Sequence, residues 1–170
     1  DKTARKISLV SATKKSLNEL RDTFYQLRQQ SNVIKFLIAR MIYTDGLNTL
    51  YAFGGIYAAG SFGMELSEII IFAIGMNVTA GIGAVAFSWI DDWIGPKKTV
   101  LIALIGLTIL GVALLIVQTK EGFWLFGLPM GFFVGPAQAA SRSMMAQLAP
   151  PETITEMFGL YAFAGKSTAF

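Results

Sequence analysis

The 170 residues carry 54% hydrophobic but only 15% charged side chains, with a mean hydropathy of +0.55 and a formal net charge of +3. A soluble domain carries about a quarter charged residues and a disordered chain needs low hydrophobicity, so the composition argues against the first class and excludes the second. Cysteine and histidine are absent, which removes disulfide frameworks, thiol nucleophiles, His-ligated zinc, histidine triads and histidine pH switches.

Residues 1–31 are polar and basic; nine of the fourteen Lys and Arg fall within residues 1–40. Leu17, Leu20, Phe24 and Leu27 recur at helical spacing, with Lys14, Lys15, Arg21 and Arg28 among them. This pattern predicts an amphipathic helix lying on lipid or on a helix bundle. A DNA-binding helix is the weaker reading, because long apolar runs follow at once, and no nucleic acid partner is expected.

A membrane-spanning helix needs about 20 mostly apolar residues. Four segments qualify, at about 33–60, 66–90, 99–117 and 123–148, and a fifth over 157–170 is too short to span. The expected fold is therefore all-α, a polytopic membrane bundle over 32–170 with the lipid bilayer as its solvent. The chain opens without Met and closes inside an apolar run, so a piece of a longer protein is expected.

Loop charges set an orientation. The amino-terminal segment and the stretch with Lys97 and Lys98 are basic, and the loop at 61–67 has no basic residue. The positive-inside rule places 1–31 and 91–98 in the cytoplasm, with Arg142 able to snorkel to the same side. Gly75, Thr79 and Gly83, and likewise Gly127, Gly131 and Gly135, stand four apart. Small residues at that spacing let helices approach closely in lipid, and in an isolated piece these faces are expected to seek partners. Pro129 and Pro136 are expected to kink the fourth helix. Thr153 and Glu156 have the spacing of a capping box after the Pro150-Pro151 break.

The third apolar segment has no charge and is expected at the periphery. The first carries Arg40, Thr44, Asp45 and Asn48, and the fourth carries Gln138, Ser141, Arg142 and Ser143. Charge in hydrocarbon usually faces a bundle interior or a wet cavity. Asp45 falls near mid-bilayer, Asn48 follows on the same face, and Lys166 reaches a similar depth. Asp45, Asn48, Gln138, Ser141, Arg142 and Lys166 are thus the candidate cavity residues, against the alternative of an Asp45–Lys166 pair that only locks helices. One carboxylate at that depth is too few for a hard cation, so no metal site is expected. Gly159 to Ser167 imitates a phosphate loop but has five residues between its glycines where four are required, and Gly81-Ile-Gly83 lacks the third glycine of a dinucleotide fingerprint. No cofactor is expected. Asp91 to Lys98 reads as a tight turn made by Gly95 and Pro96, with Asp92 placed to accept from a helix start.

The run Asp92-Trp-Ile-Gly95-Pro-Lys97, followed by Lys98, resembles the D-x-x-G-x-K-K loop of major facilitator superfamily transporters. The fuller match is similar to the vacuole-effluxer-like branch. It rests on Tyr43-Thr-Asp45-Gly46, Ile56-Tyr57, Gly135-Pro-Ala-Gln138-Ala-Ala-Ser141-Arg142-Ser143, Phe158-Gly-Leu-Tyr161 and Gly165-Lys166. Pro96 stands where the superfamily loop often has a basic residue. The resemblance implies a carboxy-terminal half, with the cytoplasmic linker, helices 7 to 10 and the start of 11. It implies a gating role for Asp92, Gly95, Lys97 and Lys98, and the missing amino-terminal half as partner.

The function so implied is secondary transport of a small-molecule solute, amino acids by the resemblance, in a multi-pass protein of the bacterial plasma membrane. With histidine absent, Asp45 is the candidate proton carrier. The rival is a membrane-embedded scaffold without transport. An intramembrane enzyme is disfavoured because no nucleophile–base pair is readable.

Overall fold

The computed structural model describes residues 31–166. The amphipathic segment expected over 1–31 lies, apart from Ser31, outside the described residues, as does the end of the fifth segment beyond Lys166. The described residues form an all-α bundle without strands. Its elements are α1 (Ser31–Phe62), α2 (Leu66–Ile94), α3 (Pro96–Ile116), α4 (Lys120–Leu148), a 3-10 turn (Pro151–Thr153) and α5 (Ile154–Lys166).

Length follows from apolar composition. The 21 residues of α3 extend about 31 Å and the 32 of α1 about 48 Å at 1.5 Å per residue. Two helices, α2 and α3, are both long and apolar enough to cross a membrane. The others depart from that pattern for visible reasons. Arg40 and Asp45 interrupt α1, Gln138 and Arg142 interrupt α4, and the described part of α5 has 13 residues.

The centre of the bundle is a seam between α2 and α4. Phe72 meets Gly127, Met76 and Thr79 meet Gly131, and Ala80 meets Gly135. These positions rise together along both helices, so α2 and α4 run parallel. The two small-residue faces expected to seek outside partners instead close on each other. A β-carbon at Gly83 would overlap the Phe132 carbonyl, and one at Gly131 or Gly135 would overlap the Met76 or Ala80 carbonyl. Such backbone proximity replaces the hydrophobic driving force that lipid does not supply. Pro136 also contributes. It lacks the N–H that would bond the carbonyl four residues back, and that carbonyl, of Phe132, is the one lying against Gly83. α4 continues through Pro129 and Pro136 as one helix. The Thr79 hydroxyl donates across the seam to the Leu128 carbonyl (2.9 Å), sharing its proton with the Met76 carbonyl at 3.0 Å.

α3 covers another side of α4 in the opposite direction, with Gly106 under the Phe133 ring and Gly111 near Met130. It buries Ala103, Leu107 and Leu114 and exposes Ile105, Ile109, Val112 and Leu115. Both faces of α3 are apolar, which suits a helix with protein on one side and lipid on the other.

α1 packs through a stripe that alternates three and four residues over Val33, Phe36, Arg40, Tyr43, Leu47 and Leu50, and resumes at Tyr57 and Ala58. It is antiparallel to α4, since Tyr43 meets Ser141 and Tyr57 meets Phe123. Phe36 stacks on Tyr161 and Arg40 reaches both Tyr161 and Gly165, so α5 runs parallel to α1. The start of α1, the end of α2, the start of α3 and the end of α4 thus share one end of the bundle. Lys97 and Lys98 stand there, with Lys35 and Arg142 a turn or two in. Tyr57, Phe62, Phe72, Phe123 and Trp124 fill the opposite end, with ring centroids 4.8–6.5 Å apart.

The capping box expected at Thr153 and Glu156 does not form. Pro150 takes the extended conformation of a cap and Pro151 opens a 3-10 turn that already contains Thr153. The Thr153 hydroxyl, carried past the capping position, is buried without a hydrogen-bond partner. A box forms at α2 instead, where the Glu68 carboxylate accepts the Glu65 N–H at 2.9 Å.

Candidate functional site

Polar side chains converge where α1, α4 and α5 meet. Ser141 is fully buried on α4 and donates to the Ala137 carbonyl one turn back (2.6 Å). Its single proton is thereby used, so the Tyr43 hydroxyl donates to the Ser141 oxygen and ties α1 to α4. One turn before Tyr43, Arg40 lies over the Tyr161 ring, 3.4 Å from its centroid, and its Nη1 donates to the Tyr161 carbonyl. Gly165 makes room for it; a β-carbon there would stand 2.7 Å from Nη1. Arg40 Nε is buried without a partner.

The expected cavity residues are placed as follows. Asp45 is exposed, about 14 residues into α1 and hence near its middle. Two residues from both Tyr43 and Leu47, at about 100° per residue, it points away from the packed stripe. Its neighbours on that outer face are Ile38, Ile42 and Ile56, exposed by 53%, 71% and 67%. Asn48 is half-buried at the edge of this face. Gln138 and Arg142, both exposed, stand one turn apart on α4, and Lys166 is exposed on α5. The structure brings Gln138 and Arg142 together on one face and sets Asn48 beside Asp45. Among the described residues it does not pair Asp45 with Lys166; Glu68–Lys120 is the ion pair present. Ser141 is enclosed between helices. The contact of Arg40 with Tyr161 joins residues 121 positions apart. Its one signal in the sequence is an arginine within an apolar run.

The stretch expected as a turn is a single joint. α2 runs through Asp91 and Asp92 to Ile94, and α3 begins at Pro96. Gly95 alone breaks the two, with φ +85° and ψ 156°, a conformation that side chains oppose. Its N–H bonds the Asp91 carbonyl at 2.9 Å, and its carbonyl accepts the Thr99 N–H at 3.2 Å and the Thr99 hydroxyl at 3.1 Å. Asp92, the residue expected to accept from a helix start, lies exposed in the last turn of α2, and Lys97 and Lys98 are exposed as well. At Asp91 one carboxylate oxygen is buried without a partner.

A cavity of about 640 Å³ opens between α1, α2, α3 and α4 towards the aromatic end, lined by Tyr51, Phe53, Tyr57, Phe72, Phe123 and Met130 among others. It holds none of the expected site residues and no charged side chain. The Asn77 amide and the Thr108 hydroxyl at its wall donate to carbonyls of their own helices, at 2.8 Å each.

Comparison with known proteins matches these features to a transporter family. The family described as "Vacuole effluxer Atg22 like" matches residues 2–170. An uncharacterized MFS-type transporter, YxiO of Bacillus subtilis, is 26% identical over 89% of this chain and 35% of its own length. Autophagy-related protein 22 of Cryptococcus neoformans is 25% identical over 85% of this chain and 28% of its own. The protein of the same name from Coccidioides immitis is 23% identical over 86% and 27%. The chain spans about a third of the length of these relatives. No solved structure matches it. The match over 2–170 takes in the α1 carboxylate, the Gly95 joint and the Ser141 contact alike, and the chain belongs to the vacuole effluxer Atg22-like family of transporters.

Proposed function

We propose that the chain is part of the carboxy-terminal half of a major facilitator secondary transporter. α1 to α4 correspond to helices 7 to 10, and α5 to the start of helix 11. The whole protein moves a small solute, with amino acids the class the family resemblance implies, by alternating access between two halves. The basic end faces the cytoplasm together with residues 1–31, and the membrane is a bacterial plasma membrane. Asp45 carries the reading. A carboxylate near the middle of a long helix, on a face of isoleucines turned away from its own bundle, is costly against lipid and calls for a wet cavity shared with other helices. Such a group can take a proton on one side and release it on the other. Gln138 and Arg142, exposed on the adjacent helix, would line the same passage. The Gly95 joint, with Asp92, Lys97 and Lys98 at the surface, would act as the gate.

The test uses the full-length protein in proteoliposomes. Asp45→Asn should abolish accumulation driven by a pH gradient and leave solute exchange at equilibrium largely intact. Accumulation that still follows the pH gradient in the variant would remove Asp45 from coupling.

A further inference from the structure

Arg40 presents an unbalanced charge. It lies nine residues, about 14 Å, into α1, and the groups packed on it are neutral: the Tyr161 ring and carbonyl, Gly165, and one turn away Phe36 and Tyr43. No carboxylate pairs with it among the described residues. Asp45 is on the opposite face of α1. Stacking on Tyr161 and one carbonyl bond stabilise the cation without neutralising it, and the Nε–H is buried with no acceptor. A guanidinium is a planar fork that meets a two-oxygen group side-on through Nε and one terminal nitrogen. Here Nη1 is used by a backbone carbonyl, whereas the Nε–H, which forms the side-on fork together with Nη2, has no acceptor. An anion on that edge would leave both the Tyr161 carbonyl bond and the aromatic contact in place.

We propose that Arg40 is a carboxylate-binding site, and that Tyr161 and Gly165 hold its guanidinium in place for that purpose. One positive charge in a neutral aromatic setting matches a monoanion better than a phosphate dianion. The carboxylate comes either from the transported solute, which rests on the transport reading above, or from an acidic side chain elsewhere in the longer protein.

The experiment compares leucine with leucinamide, alike in shape but differing in the carboxylate, in proteoliposomes of the full-length protein, with Arg40→Gln and Arg40→Lys alongside. The thermal midpoint of each purified variant is recorded in parallel. If the solute supplies the carboxylate, the wild type prefers leucine by at least about tenfold, and both variants lose that preference with unchanged midpoints. If the protein supplies it, Arg40→Gln lowers the midpoint by about 5 °C, both probes suffer alike, and one Asp→Asn or Glu→Gln change restores stability to the Arg40→Gln background. The proposal is overturned if Arg40→Lys matches the wild type in transport and midpoint, since a point charge that merely reaches the interface would then suffice. It is also overturned if Arg40→Gln changes neither. Should the wild type move no solute at all, the transport reading fails by itself and the midpoints still decide the role of Arg40.

Discussion

The glycines of this bundle divide into two populations. Along the α2–α4 seam, each of Gly75, Gly83, Gly127, Gly131 and Gly135 has a neighbouring atom where a side chain would begin, in three cases a backbone carbonyl. On α1, Gly46, Gly54 and Gly60 face open space. The same residue type therefore serves a finished contact in one place and leaves an unoccupied surface in the other. The seam is self-sufficient within these residues. α1 is only half used: its inner stripe holds the bundle together, and its outer stripe carries Asp45 among exposed isoleucines. On the proposed reading, fold and function separate on the two sides of this one helix.

The largest effects should come from challenging the seam. Gly83→Val places side-chain carbon on the Phe132 carbonyl, which neither helix can yield without losing the adjacent Gly131 and Gly135 contacts. Overpacking costs about 1–3 kcal/mol when a site can relax, and this one meets backbone, so the full-length protein should lose at least about 3 kcal/mol or fail to accumulate folded. Gly54→Ala on α1 meets nothing and gains helix propensity of up to about 1 kcal/mol, so its thermal midpoint should hold or rise. Equal losses in the two variants would show that α1 is as tightly covered in the whole protein as α2. The contrast would then belong to the piece alone.

The all-α architecture was legible because long apolar runs without charge dictate helices in lipid. The pairing within it was not. Glycines four apart announce a close approach but do not name the partner, and here the two such faces in the sequence found each other. The Gly95 joint was legible as a break but not as a single residue, because Asp91 and Asp92 look like loop residues until α2 is seen to run through them. Thr153 shows the opposite failure: the spacing was right, and the 3-10 turn started by Pro151 moved the cap to Pro150. At the candidate site, Asp45 could be placed on a face by counting. The contact of Arg40 with Tyr161 could not, because it depends on how α5 returns to α1.

A smaller effect should appear on the inner side of α1. Tyr43→Phe removes the donor to Ser141, and Ser141→Ala removes both the acceptor and the bond to Ala137. Hydrogen bonds between membrane helices average about 0.6 kcal/mol, so the double-mutant cycle should give a coupling of about 0.5–1.5 kcal/mol in the stability of the full-length protein. Transport should fall less than in Asp45→Asn, because this contact holds α1 from behind. If Tyr43→Phe abolished transport with stability intact, the inner stripe would be part of the pathway and the division of α1 into two sides would have to be redrawn.

The smallest effect belongs to the end of the seam. Lys120 Nζ lies 2.9 Å from both Glu68 oxygens, joining the start of α4 to the start of α2. Both side chains are about a third exposed, 37% and 34%, so water screens their attraction and each loses rotamer freedom on pairing. Exposed pairs contribute little, and a cycle between Lys120→Gln and Glu68→Gln should show only a weak coupling. Raising the salt to 1 M shortens the screening length to about 3 Å and should erase most of the coupling. Glu68→Gln should cost more than Lys120→Gln, because Glu68 also accepts the Glu65 N–H that starts α2. A Lys120→Gln loss above about 2 kcal/mol, insensitive to salt, would mean that another part of the protein buries this end. The seam would then be completed from outside, as is proposed for α1.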